Sequence, residues 1–400
     1  MAIQNTLPEG QATSDVANWG GVLAMSLCVF ALIASEFMPV SLLTPIAAEL
    51  GVSEGSAGQA IAISGAFAVV TSLFISYIAG NWDRKHILLV LTGLMALSGV
   101  IISAAPTYEI FMIGRALIGV VIGGFWSMTA ATAMRLVPEE LVPRALAIFN
   151  GGNALATVVA PPVGAFLGSI IGWRGAFFTV VPVALIAFIW QSLSLPAMKP
   201  TPDPQSRNVF RLFGRPLVAV GMAAVALFFM GQFALFTYVR PFLETVTQVG
   251  VSSLSLILLG IGVAGVAGTS LIGYLLTKRL YPVLIIIPAL MAIAALTLTA
   301  FGTNLPATGT TLIIWGLLAT AAPVAWWTWL ARSLPQDAEA GGGLMVAVIQ
   351  LAITLGAILG GLLYDTAGYR ITFFASAALL VLGSALAFRT AKASSFIGSK

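Results

Sequence analysis

Twelve apolar runs, each long enough to cross a bilayer and separated by short polar breaks, constrain this chain more than any other feature. They fall at about 20–46, 57–79, 86–105, 109–133, 145–169 and 175–195, and, after a break at 196–215, at about 216–241, 252–277, 282–302, 308–331, 343–364 and 371–389. A helix needs about 20 consecutive apolar residues to span the hydrocarbon layer. Backbone amides in lipid must also find their partners inside their own segment. The expected fold is therefore all-α and integral to the membrane, with twelve transmembrane helices. Composition closes off other classes: 59% of the 400 residues are hydrophobic and 8% charged, against about a quarter charged in a soluble protein. Disordered, nucleic-acid-binding and cytosolic-enzyme readings are excluded for the chain as a whole.

The net charge of +4 arises from eighteen basic residues that form no block or stripe, so they are read as topology. Basic residues near span ends are retained on the cytoplasmic side. With a cytoplasmic N-terminus that side collects fourteen of the eighteen, among them Arg84, Lys85, Arg135, Arg144, Lys278, Arg279 and Arg332. Arg174, Arg240 and Arg370 fall on the other side and Arg115 inside the fourth span. Both termini are expected to be cytoplasmic. Residues 1–18 contain Glu9 and Asp15 but no Lys or Arg; lacking the basic region of a secretory signal, the first run is expected to stay in the mature protein.

The break carries Pro196, Pro200, Pro202 and Pro204 with four basic residues and reads as an extended cytoplasmic linker. The halves on either side resemble each other. Gly172-Trp173-Arg174-Gly175-Ala176-Phe177-Phe178 returns as Gly368-Tyr369-Arg370-Ile371-Thr372-Phe373-Phe374 at an offset of 196, Gly164 pairs with Gly360 at the same offset, and Thr71-Ser72-Leu73 returns as Thr269-Ser270-Leu271. Such repeats imply two pseudo-symmetric six-helix bundles related by an axis along the membrane normal, with a site between them. The expected division is a tail at 1–18, bundles at 19–195 and 216–390, the linker at 196–215 and a tail at 391–400.

Glu36 is the one acidic residue placed well within a span, about 17 residues from Trp19 and so roughly 25 Å along the helix. A low-dielectric surround penalises the ionised form, so a carboxyl there can hold a proton and exchange it as its surroundings alternate between wet and dry. Glu36 is the expected proton carrier; a neutral acid bonded for helix packing is the plainer reading. Arg115 cannot deprotonate to escape burial. It needs a partner or a wet cavity, and is expected either to modulate proton release from Glu36 or to form a fixed ion pair or cap. Gly119, Gly123 and Trp126 fall near its helical face.

In the fifth span Asn150, Asn153, Thr157, Pro161, Gly164 and Gly168 follow at steps of 3, 4, 4, 3 and 4, a stripe too polar for lipid that is expected to line the cavity or the seam between halves. Pro161-Pro162 is expected to bend that helix. Gly260, Gly262, Gly265 and Gly268 are read as close helix packing. Planar ligands stack on aromatic rings, so Gln232, Phe236, Tyr238, Trp315, Trp326 and Gln350, with Trp126 and Asn153, are the substrate-binding candidates. Trp327 and Trp329 read as interface-belt residues. Gly80, Asp83 and Arg84, in the loop after the second span, are conformational gating candidates with Pro161 and Gly164.

Cys28 is the single cysteine, and a small buried hydrophobe is its expected role. No phosphate-binding G-x-x-x-x-G-K-[ST] sequence is present, which argues against ATP-driven transport. With no Ser/His/Asp or metal-ligand constellation, neither enzymatic activity, a cofactor nor a metal is expected. The expected partners are a small-molecule substrate, protons and the lipid bilayer, with no nucleic acid, and the chain is expected to be monomeric.

These residues resemble the major facilitator superfamily, specifically its twelve-helix drug/proton antiporter group, along essentially the whole chain. Gly80, Asp83 and Arg84 match the loop motif of that family. Arg115 with Gly119 matches its fourth-helix motif, in which the arginine is linked to proton transfer, and Pro161, Gly164 and Gly168 match its fifth-helix exporter motif. The strings Glu36-Phe37-Met38-Pro39, Gly123-Gly124-Phe125-Trp126, Gly231-Gln232-Phe233-Ala234-Leu235-Phe236-Thr237-Tyr238-Val239-Arg240-Pro241 and Val346-Ala347-Val348-Ile349-Gln350-Leu351 are similar to those of bacterial purine ribonucleoside exporters. The resemblance implies inner-membrane export of nucleosides such as inosine and guanosine in exchange for protons. Sugar or multidrug efflux on the same scaffold is the alternative, and a receptor without flux the alternative of another class.

Overall fold

A computed structural model describes residues 17–79, 82–198, 209–334 and 338–397. Gly80, residues 1–16, residues 199–208 of the expected linker and the last three residues lie outside them. The described chain is helical: α1 (Trp19–Leu50), α2 (Glu54–Ala79), α3 (Arg84–Ala104), α4 (Tyr108–Leu136), α5 (Val142–Phe178), α6 (Val180–Ser194), α7 (Pro216–Phe236), α8 (Val239–Thr245), α9 (Val251–Phe301), α10 (Leu305–Ser333) and α11 (Ala338–Ile397).

Ten helical segments among the described residues are long and apolar enough to cross a membrane, and two of them, of 51 and 53 residues, are twice the needed length. Each of those two holds one glycine far from helical geometry, Gly172 (φ 74°, ψ 165°) and Gly368 (φ 77°, ψ 176°). Ten segments plus two internal reversals give twelve crossings. The two glycines are the first residues of the repeated heptapeptide, so the repeat in sequence is a repeat of a turn that only glycine enters cheaply. α9 breaks at Arg279, between the eighth and ninth expected spans.

The buried apolar residues fall into two cores. One is built from residues 212–387 with Val40, Ile61, Ala62 and Ala165, and the other from residues 22–198 with Tyr238. α2 against α11 and α5 against α9 form the seam between bundles, and α1 also touches α8. Close approach at the seam needs glycine: a Cβ on Gly262 would lie 2.7 Å from the Val158 Cα. Large apolar side chains such as Phe74, Ile170, Leu256 and Leu271 remain exposed around the outside, where lipid replaces water as their surroundings.

Several expectations change. The seventh span breaks between Phe236 and Val239 because Pro241 has no N–H for the Thr237 carbonyl. Val209–Gly214, expected to be extended, is a 3-10 helix, and α11 continues past 390 into the expected tail. Trp329 is not an interface residue: it is fully buried, edge-on to Trp326 at 5.7 Å and pressed on Gly221, whose missing side chain makes room for it.

Candidate functional site

α1 is the framework of the site. Its two internal prolines, Pro39 and Pro45, deprive the carbonyls four residues earlier, Ser35 and Ser41, of their helical donors. Each freed carbonyl is taken by a buried arginine from another helix. Arg115 on α4, with no exposed surface, donates from Nη1 to the Ser35 carbonyl at 2.7 Å, from Nη2 to the Glu36 carbonyl at 3.1 Å and the Ser64 Oγ at 3.2 Å, and from Nε to the Ala60 carbonyl at 3.0 Å. The guanidinium thus ties α4 to α1 and α2 through backbone acceptors, and it meets Glu36 at its main chain. Arg240 on α8 donates from Nη1 to the Ser41 carbonyl across the seam, and holds Glu244 through Nε at 2.9 Å and Nη2 at 2.8 Å.

The Glu36 side chain is 6% exposed, within electrostatic reach of Arg115 and close to Gln350 of α11. Phe37, the next residue of α1, lines a cavity of about 80 Å³ between the bundles, with Thr157 and Pro161 of α5, Gln232, Phe233 and Phe236 of α7, and Trp315 and Thr320 of α10. Two polar atoms here, Gln232 Oε1 and Trp315 Nε1, are buried with no hydrogen-bond partner in the protein. An orphaned acceptor and donor of this kind cost stability. At an offset of 196 Glu36-Phe37 becomes Gln232-Phe233 and Pro45 becomes Pro241. The proton candidate and the amide candidate therefore stand at equivalent places in the two bundles.

The seam is closed at the end that carries the α1–α2 turn. Asp365 of α11 accepts from the Gly55 N–H at 2.9 Å and from the Ser53 hydroxyl, so a carboxylate of one bundle caps the first turn of α2 in the other. Tyr238 donates to the Ala357 carbonyl at 2.9 Å, lies 3.4 Å from the Gly55 carbonyl and stacks on Tyr364.

The expected site residues distribute as follows. Gln232, Phe236, Trp315 and Pro161 line the cavity, and Gln350 joins Glu36. Tyr238 belongs to the closed end, and Trp326 is core. Trp126 and Asn153 are half-buried on α4 and α5 outside the lining residues, and the main-chain carbonyl of Asn153 accepts from the Thr157 hydroxyl at 2.9 Å. Gly164 faces α1, where a Cβ would meet the Ser41 Oγ at 2.7 Å. Asp83 caps α3 through the Lys85 N–H and binds the Met198 N–H, both at 2.8 Å, within its own bundle. Arg84 begins α3, near Arg135. Phe37, Phe233 and Arg240 were not singled out from the sequence; the offset of 196 applied to α1 and α7 would have found the first two. Among the described residues no group of three or more His, Cys, Asp or Glu could hold a metal ion.

A profile of the Major Facilitator Superfamily matches residues 25–345. The chain is 61% identical over 380 residues to the transcription regulatory protein OpdE of Pseudomonas aeruginosa, covering 94% of each. It is 42% identical over 370 residues to the purine ribonucleoside efflux pump NepI of Escherichia coli strain K12, covering 92% of this chain and 93% of that one. Among solved structures it superposes with a TM-score of 0.79 on an inward-facing, unoccupied bacterial homolog of the human lysosomal transporter Spinster (17% identity, 95% and 98% covered). On a D-xylose-proton symporter the TM-score is 0.72 (16% identity, 92% and 96% covered).

Proposed function

This chain belongs to the Major Facilitator Superfamily, and we propose that it is a secondary transporter that exports purine ribonucleosides, inosine and guanosine among them, in exchange for protons. The observation that carries the reading is the cavity between the bundles, lined by three phenylalanines and by Gln232 and Trp315, each of which has a buried polar atom without a partner. A nucleobase offers a flat apolar face with donors and acceptors on its edge. The nucleoside pump at 42% identity supports the same substrate class.

At about 80 Å³ the cavity is smaller than the clefts of about 300–1,000 Å³ that house drug-sized ligands. Loading therefore goes with movement of the bundles, and transport is alternating access by rocking them around the site. Protonation of Glu36 biases that equilibrium by binding one conformer more tightly than the other. Arg115 holds α1 at the Glu36 carbonyl and sets the field in which the proton is exchanged. The energy comes from the proton gradient, with no cofactor. Because both bundles belong to one chain, a monomer contains the whole site. The chain sits in the bacterial inner membrane with both termini cytoplasmic, and the closed end faces outward.

The relative at 61% identity carries a regulatory name. The basic residues of this chain form no stripe of the kind that binds DNA. A regulatory effect from such a protein would run through the concentration of a transported solute.

The test is proton movement in inside-out vesicles energised to an acidic interior and then given inosine, guanosine, arabinose or a cationic dye, with wild type and Glu36→Gln in parallel. Purine nucleosides are expected to trigger proton leakage in wild type only. A response confined to arabinose or dye would replace the substrate class. Equal leakage in the variant would remove Glu36 from the proton pathway.

A further inference from the structure

Phe37 and Phe233 are the same residue at the same place in the two repeats. Their rings stack across the seam with centroids 5.9 Å apart and planes 24° from parallel. Both line the cavity; Phe233 is 4% exposed and touches Phe236 edge-on at 6.3 Å. Phe37 follows Glu36 directly in α1, and Phe233 follows Gln232, whose Oε1 has no partner. Each bundle thus offers one ring and one polar group, and the rings meet where the bundles meet.

Resting on the nucleoside reading, we propose that Phe37 and Phe233 form a two-sided clamp that takes the planar base of the substrate between them, one ring from each bundle. A base between the two rings needs a full ring's thickness of added separation between their planes, so the bundles part at this point as it enters. The two rings stack on each other and so shield the apolar faces that the base would cover. Binding on both faces then requires both bundles to be in place, which makes the bound base part of the seam and couples occupancy to rocking. Gln232 and Trp315 read the edge of the clamped ring, while the clamp itself selects for flatness.

The experiment uses full-length protein in lipid nanodiscs and measures equilibrium binding of inosine, a flat cationic dye and arabinose to wild type, Phe37→Leu, Phe233→Leu, Phe37→Tyr and Phe233→Tyr. Leucine keeps apolar bulk and removes the π face; tyrosine restores it. Base–aromatic stacking is strong enough that each leucine variant is expected to weaken inosine about tenfold or more, with tyrosine recovering most of the loss. Leucine variants that bind inosine and the dye as wild type does would overturn the clamp while leaving nucleoside transport standing. Wild type binding the dye but not inosine, with the leucine variants weakened, would support the clamp and discard the nucleoside. Wild type binding arabinose alone would remove both. The tyrosine variants guard against misfolding: recovery of inosine binding shows a folded site, and no recovery at either position would overturn the clamp.

Discussion

At the scale of single residues the site is organised by unmet backbone hydrogen bonds. Pro39 frees the Ser35 carbonyl, and Arg115 is the group that answers it. Leaving a buried acceptor unsatisfied costs about 1–3 kcal/mol, so Arg115→Met, which orphans several, is expected to lower stability by at least about 2 kcal/mol. In the Pro39→Ala background part of that cost should disappear, because the introduced alanine supplies the missing N–H to Ser35. The buried Cys28 makes the measurement possible: a thiol-reactive dye reports its exposure on thermal unfolding. Equal costs of Arg115→Met in both backgrounds would show that the proline-freed carbonyl is not what the arginine serves. Trp315→Phe keeps an aromatic six-membered ring and removes the pyrrole part of the indole with its orphaned Nε1 donor. It is expected to weaken inosine several-fold and to leave the flat dye nearly unchanged, as equilibrium binding would show.

At the scale of elements, the reversals at Gly172 and Gly368 turn overlong helices into pairs of spans. A side chain in that region of backbone space costs about 1–3 kcal/mol, so Gly172→Ala is expected to lower the midpoint of Cys28 exposure by several degrees. Gly151, helical and with open space where a Cβ would stand, is the control. Gly151→Ala should be neutral or stabilising, since glycine inside a helix costs roughly 0.5–1 kcal/mol relative to alanine. The turn after Gly172 is also pinned from outside: Trp173 donates to Glu49 at 2.6 Å, and Arg174 pairs with Glu49 and lies 4.2 Å over the Trp173 ring.

At the scale of the whole molecule the closed end is a small set of bonds between bundles, chiefly Asp365 on the first turn of α2 and Arg240 on the Ser41 carbonyl. Hydrogen bonds to charged groups are worth about 1.5–3 kcal/mol each. Asp365→Asn is therefore expected to shift the balance between closed and open by about tenfold. Spin labels on cysteines at the exposed Thr107 and Thr303, in a Cys28→Ser background, should show a growing population of longer distances in the variant. An unchanged distribution would mean the latch lies elsewhere in the seam. Arg240→Met should act in the same direction.

The number of crossings and the two halves could be read from the sequence by itself. Each depends on a one-dimensional quantity: the length of an apolar run against the thickness of a bilayer, and a repeat interval. Glu36 and Arg115 were legible as exceptional for a related reason, since charge inside a span is conspicuous wherever the helix turns. Tertiary structure alone decided which polar groups meet. Arg115 reaches a carbonyl 80 residues away and Arg240 one 199 residues away, while Tyr238 and Trp326 turn away from the cavity they were expected to line. Helices that are apolar on nearly every side carry no pattern that marks the face toward a partner. That face is set by where prolines leave carbonyls open and where glycines let backbones approach, and both take effect only when another helix arrives.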